Sequence, residues 1–143
     1  LVAAMNGTLG IALSGLAAET RRIDASASNV ANARVTGALP GKDGVTEGRA
    51  PYVPVASTQG DVRTGDGQGA GVRSGVKPLS TPVVVEYDPS SSDANAEGMV
   101  GAPNVDYGTE VSQQILGSRA YSANLSVVRA TDEMTRDLLN MRT

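Results

Sequence analysis

The chain has 143 residues and a net charge of −3, with no Cys, His, Phe or Trp and only four Tyr. That composition excludes disulfides, thiolate nucleophiles, an imidazole base and the usual zinc ligand sets. The balanced charge is no footprint for nucleic acid or anionic lipid, and the shortage of aromatic anchors favours thin helix–helix seams over a large globular centre.

The first element is a helix over residues 8–33. Val2, Leu9, Leu16, Ile23 and Val30 recur every seven residues, which is a coiled-coil seam. Gly7, Gly10 and Gly15 weaken its first half by up to about 1 kcal/mol each, so this helix needs a partner along its length. Thr36-Gly37 and Pro40-Gly41 end it. The opening residues are fairly apolar but lack a preceding basic segment, and they read poorly as a cleaved signal peptide. No apolar run is long enough to span a membrane, and no direct membrane insertion is expected.

Residues 37–50 read as a charged, Gly-rich loop. Tyr52–Ser57 reads as a short edge strand bounded by Pro51 and Pro54. Gly60–Gly71 reads as turn and loop. Ala70–Lys77 alternates, with Val72 and Val76 on one face and Arg73 and Lys77 on the other. Pro82–Tyr87 (PVVVEY) carries the clearest strand signal, and residues 88–104 read as irregular. The last element is a long helix over residues 106–142, with Asp106 or Thr109 as its cap. Ala120, Asn124, Val127, Thr131, Met134, Leu138 and Met141 form its seam, and Val111, Leu125, Val128 and Leu139 form a second stripe beside it. Two stripes on one helix imply more than one neighbour.

The expected fold is α+β. Helical ends in residues 1–36 and 105–143, carrying coiled-coil seams that meet each other or neighbouring copies, flank a small, loop-rich, β-containing middle at 37–104.

Motifs for chemistry are missing. The glycines of Gly65–Gly71 lack dinucleotide-loop spacing, and no Gly-Lys-Ser/Thr follows them. Asp93–Gly98 matches the first half of a calcium loop, but the twelfth position is Asn104 instead of a bidentate Glu, so it reads as an Asx-rich turn. The acidic pair Asp132-Glu133 falls on a solvated helix face. No catalytic residue, cofactor or metal site is expected.

Two matched ends resemble a known family. Ala12-Leu13-Ser14-Gly15-Leu16-Ala17-Ala18, then Arg22-Ile23-Asp24, then Ser28-Asn29-Val30-Ala31-Asn32 is similar to the N-terminal signature of bacterial flagellar rod, hook and hook-associated proteins. Arg119, Tyr121 and Asn124, followed by Thr131-Asp132-Glu133-Met134, resemble the closing helix of that family. Tyr87-Asp88-Pro89-Ser90, Asp93–Gly98 and Pro103-Asn104-Val105 look like the segment typical of its proximal-rod members.

The resemblance implies a structural, non-enzymatic subunit of the basal-body rod. The resemblance also implies that the terminal helices pair as a coiled coil, with Leu9, Leu16, Ile23 and Val30 meeting Val127, Met134, Leu138 and Met141, and with Val111, Leu125, Val128 and Leu139 facing adjacent copies, and that they polymerise helically into a hollow drive shaft crossing the periplasm. The subunit's partners would be copies of itself, other rod proteins, proteins of the MS-ring junction, and the flagellar type III apparatus that exports it without cleavage. The alternatives are another flagellar axial component, or a freestanding helical adaptor or secreted binding protein.

Overall fold

The computed structural model describes residues 2–41 and 46–141. The side chain of Val2, part of the loop around residue 43 and the last residues of the expected C-terminal helix lie outside the described residues. The element order is α1 (Val2–Asn32), β1 (Val55–Arg63), β2 (Gly69–Pro78), β3 (Val83–Tyr87), β4 (Met99–Pro103) and α2 (Tyr107–Asn140). The fold is α+β, with two long terminal helices and two small sheets, β1–β2 and β3–β4.

The chain forms two compact units, and α1, β1, β2 and α2 each contribute to both. The first gathers α1 up to Asp24, Ser57–Gly75 and α2 from Gln113 onward. Here α1 and α2 run antiparallel: Gly15 lies against Asn124, and Gly117 lies against Ile23. A Cβ on Gly15 would stand 2.7 Å from the Asn124 carboxamide, and one on Gly117 would stand 2.9 Å from Ile23. Glycine is what allows this approach. The β1–β2 hairpin closes through Thr64–Gln68, where the Thr64 amide donates to the Gln68 carbonyl and Gly67 adopts a positive φ of 85°. So short a connection permits only antiparallel pairing.

The second unit gathers Ala25–Ala56 and Val76–Ser112. β3 and β4 pair antiparallel, with Val85 opposite Gly101 and Tyr87 opposite Met99. Gly101 also exchanges both main-chain hydrogen bonds with Gly37, at 2.8 and 3.0 Å. The core here is small: Val100, Ala102, Ala38, Ala25 and buried prolines.

Several expectations need correction. α1 begins at Val2, six residues before the expected start, despite Gly7 and Gly10. β1 begins at Val55 instead of Tyr52 and runs on through Gly60 to Arg63, because hairpin pairing overrides the loop-like composition of Gly60–Gly71. The segment 88–104, expected to be irregular, contains β4, which gains its extended shape from pairing on both sides. The strands at Gly69–Pro78 and Val83–Tyr87 lie where the sequence places them. Asp106 caps α2: its Oδ1 accepts the Thr109 amide at 2.6 Å.

Candidate assembly surfaces

The α1 positions with the least solvent contact are small or polar: Ala12, Ala18, Glu19, Ala25, Ser26 and Asn29. On α2 they are Glu110, Gly117 and Thr131, with Asn124 and Leu138 half-buried, a strict seven-residue series. The packed seam is therefore narrower and more polar than the apolar stripes suggest. Two of its polar members on α2, Thr131 and Asn124, bond within their own helix. Thr131 Oγ1 donates to the Val127 carbonyl at 2.9 Å, and Asn124 Nδ2 donates to the Ala120 carbonyl at 3.0 Å.

Leu9, Leu16, Ile23 and Val30 on α1 are half-buried, as are Leu125, Val128 and Leu138 on α2. Val127 is 40%, Met134 57% and Met141 82% exposed. Val111 and Leu139 are exposed, as are Ile11, Leu13, Ile115 and Leu116.

The signature residues hold the strands to the helices. Asn29 is 1% exposed and uses all its hydrogen-bonding capacity. Its Nδ2 donates to the Val55 carbonyl and to Glu110 Oε1, both at 2.7 Å. Its Oδ1 accepts the Val55 amide and the Tyr52 hydroxyl, both at 3.0 Å. One carboxamide thus joins α1, the start of β1 and the first turn of α2. Nearby, Ser26 Oγ donates to the Glu110 carbonyl at 2.9 Å.

Ser14 plays the matching part in the first unit. Its Oγ accepts the Val72 amide at 3.1 Å and donates to the Ile11 carbonyl at 2.7 Å. Gly71, at φ 118°, comes so close that a Cβ there would collide with that hydroxyl. Arg21 Nη1 donates to the Ser74 carbonyl at 2.8 Å, and Gln59 Nε2 donates to Glu19 Oε1 at 3.1 Å. Glu19 also pairs with Arg22 at 3.1 Å. The side of β2 that faces α1 is thereby pinned, which fixes the hairpin's register on the helix.

Other signature residues shape turns. Asn32 Nδ2 donates to the Ser28 carbonyl at 2.9 Å as α1 ends. Asp88 Oδ1 accepts the Ser90 amide and hydroxyl. Pro89 and Tyr87 crowd Gly98, whose φ is 76°. Pro103 is buried, and Asn104 bonds the Pro82 and Thr81 carbonyls. Arg119 is exposed, and Tyr121 borders a shallow groove with Thr20, Ile23, Asp24, Ser118 and Ser122.

The Asp93–Gly98 segment is an Asx-rich turn. Asn95 Oδ1 accepts the Glu97 and Met99 amides, and Asp93 pairs with Arg49 at 3.3 Å. Two exposed carboxyls lie below their ordinary value. Asp66 is held there first by the Thr64 hydroxyl, and Asp106 first by the Thr109 side chain and then by its amide. Among the described residues no group of acidic side chains is placed to hold a metal ion, and no helix is long and apolar enough to cross a membrane.

Comparison with known proteins agrees with the position of these features. The family described as "Flagella basal body rod protein" matches residues 9–38, which hold Ser14, Gly15 and Asn29. The family described as "Flagellar basal body rod FlgEFG protein C-terminal" matches residues 96–141, which hold β4 and α2. The flagellar basal-body rod protein FlgC of Agrobacterium fabrum is 34% identical over 134 residues, covering 92% of this chain and 90% of that protein. FlgC of Salmonella typhimurium is 33% identical over 132 residues, covering 92% of each. FlgC of Bacillus subtilis is 30% identical over 143 residues, covering 94% of this chain and 95% of that protein. With matches spanning nearly the whole length, and the same signature residues carrying the packing, the chain belongs to the FlgC family of flagellar basal-body rod proteins.

Proposed function

We propose that this chain is a structural subunit of the bacterial flagellar basal-body rod, and that it polymerises helically through the outer faces of α1 and α2. Family membership carries the first part. One observation supports the second: large apolar side chains on both helices, among them Ile11 and Leu13 on α1 and Val111, Ile115, Val127, Met134 and Met141 on α2, are exposed in the subunit. Each such side chain contributes about 1.5–3 kcal/mol when a neighbour covers it. Leu9, Leu16, Ile23 and Val30 on α1, with Val111, Leu125, Val127, Val128, Met134, Leu138 and Met141 on α2, form these intersubunit faces.

In this reading the division is functional. Residues 1–36 and 105–143 build the axial layer, and residues 37–104 stand outside it. The partners are further copies and other rod proteins, then the MS-ring junction and the type III export apparatus at the ends of the path. The assembled site is the periplasmic rod, and the role is to transmit torque.

The test is Met134→Asp in a strain lacking the native rod gene. Met134 is exposed in the subunit, so the variant folds with stability within about 0.5 kcal/mol of the parent. It should yield no intact hook–basal bodies on detergent purification and no swimming. Leu16→Asp serves as the α1 counterpart. A complete rod containing Met134→Asp would refute the polymerisation face.

A further inference from the structure

β3 has one strand neighbour, β4, and among the described residues its other edge is open. The alternation of the ladder says which groups face that edge. Gly101 gives its amide and carbonyl to Gly37, away from β3. Its partner Val85 therefore turns its own main-chain groups away from β4, and so do Val83 and Tyr87, two residues to either side. Val84 and Glu86 exchange the β3–β4 bonds. The Asp88 amide bonding Gly98 and the Asn104 amide bonding Pro82 continue the same alternation at the two ends.

The edge is also apolar. Val85 is 63% and Tyr87 67% exposed, and Val84 is exposed as well. Natural edge strands are commonly guarded by shortness, charge, Pro or a bulge. Residues 83–87 (VVVEY) form a short strand with one charge, Glu86, but contain no Pro or Lys, and their five-residue register with β4 is unbroken.

We propose that β3 is a strand-addition edge through which two copies of this chain pair antiparallel about a two-fold axis at Val85. The sequence complements itself in that register. Val85 faces Val85 of the second copy, Val83 faces Tyr87, and Val84 faces Glu86. Every outward N–H of Val83, Val85 and Tyr87 then meets an outward C=O, whereas a two-fold centred on any other residue of β3 leaves some of them unpaired. Tyr87 over Val83 is a favourable aromatic–β-branched pair, and no like charges oppose each other. A two-fold contact closes on itself and cannot propagate a filament. It uses a surface distinct from the helical faces of the rod reading, and it belongs to the unassembled subunit.

The experiment is analytical ultracentrifugation of the full chain alone over a concentration series, with amide exchange read residue by residue. The expected result is a monomer–dimer equilibrium in which the Val83, Val85 and Tyr87 amides slow as concentration rises, while Val84 and Glu86 are unchanged. Val85→Lys sets like charges against each other at the axis and weakens the dimer tenfold or more. Val84→Lys puts a cation opposite Glu86 of the second copy and leaves affinity within about threefold, on the tighter side. Both positions are on the surface, and circular dichroism verifies that each variant is folded. A chain that stays monomeric to about 1 mM overturns the proposal. So does a dimer that Val85→Lys leaves intact, since its contact lies elsewhere.

Discussion

Replacing Asn29 with Asp changes almost no volume but reverses the chemistry of one atom. The Nδ2 group now donates to the Val55 carbonyl and to Glu110 Oε1, both at 2.7 Å. In the variant an oxygen would face two acceptors at those positions, one of them a carboxylate. Losing two bonds to buried partners costs about 1–1.5 kcal/mol each, and burying a charge beside another acid adds to that. The expected loss is about 3–5 kcal/mol at pH 7, a large share of the roughly 5–15 kcal/mol that holds a domain together.

Asn29→Ala costs about 2–5 kcal/mol by a different route, because it orphans the amide and carbonyl of Val55. Acid separates the two variants. Burial and Glu110 raise the pKa of the new Asp above its unfolded value of about 3.9. The charge part of the penalty on Asn29→Asp is therefore full above the raised value, shrinks as pH falls from there toward the unfolded value, and is absent below it. Asn29→Ala gains no such relief. Urea unfolding followed by circular dichroism at pH 7 and pH 4, with amide exchange at Val55, measures both effects. An Asn29→Asp variant that unfolds at the parent's urea midpoint at pH 7 would refute the assignment of Asn29 as the joint between α1, β1 and α2.

Gly37→Ala places a Cβ 2.2 Å from the Arg49 carbonyl oxygen and 2.4 Å from the Pro51 nitrogen. Backbone cannot step aside as a side chain can, so a loss above about 3 kcal/mol and loss of amide protection at Gly101 are expected. Gly117→Ala puts a Cβ 2.9 Å from Ile23 Cγ1 and 3.5 Å from Arg22 Cδ, so Ile23 must shift and a loss of about 1–3 kcal/mol is expected, with Gly117→Leu losing more; thermal unfolding of the pair ranks them. Ser14→Ala removes the acceptor of the Val72 amide, and faster exchange at that amide is the readout, with a cost of about 1 kcal/mol. Asp106 has a folded pKa below its ordinary 3.8, so its capping contribution is present above that value and is lost as pH falls through the lowered one. Asp106→Asn keeps an oxygen for the Thr109 amide and should abolish that acid-side change in Thr109 exchange.

The helices were legible because their apolar columns are long and periodic, and β3 was legible because Val83, Val84 and Val85 have little use elsewhere. β4 was not. Met99–Pro103 mixes Gly, Ala and Pro, and its strand character comes from β3 on one side and Gly37 on the other. β1 outran its prediction for the same reason, carrying Gly60 and Asp61 along in the hairpin. The signature marked Ser14 and Asn29 without revealing their work, since the partners of Asn29 lie 26 and 81 residues away. The burial of Ala12, Glu19, Ser26 and Gly117 was not legible, because these residues carry little hydrophobic signal.

The exposed apolar side chains of α1 and α2 would set the thermal behaviour of an assembly built on those faces. If copies meet there as proposed, that area is buried on association, and a negative heat-capacity change accompanies it. Near room temperature such association is driven by released water and has little enthalpy of its own. A polymer held this way is tightest when warm and loosens when chilled. Calorimetry of assembly would read a large negative ΔCp, and stored filaments would shed subunits in the cold room.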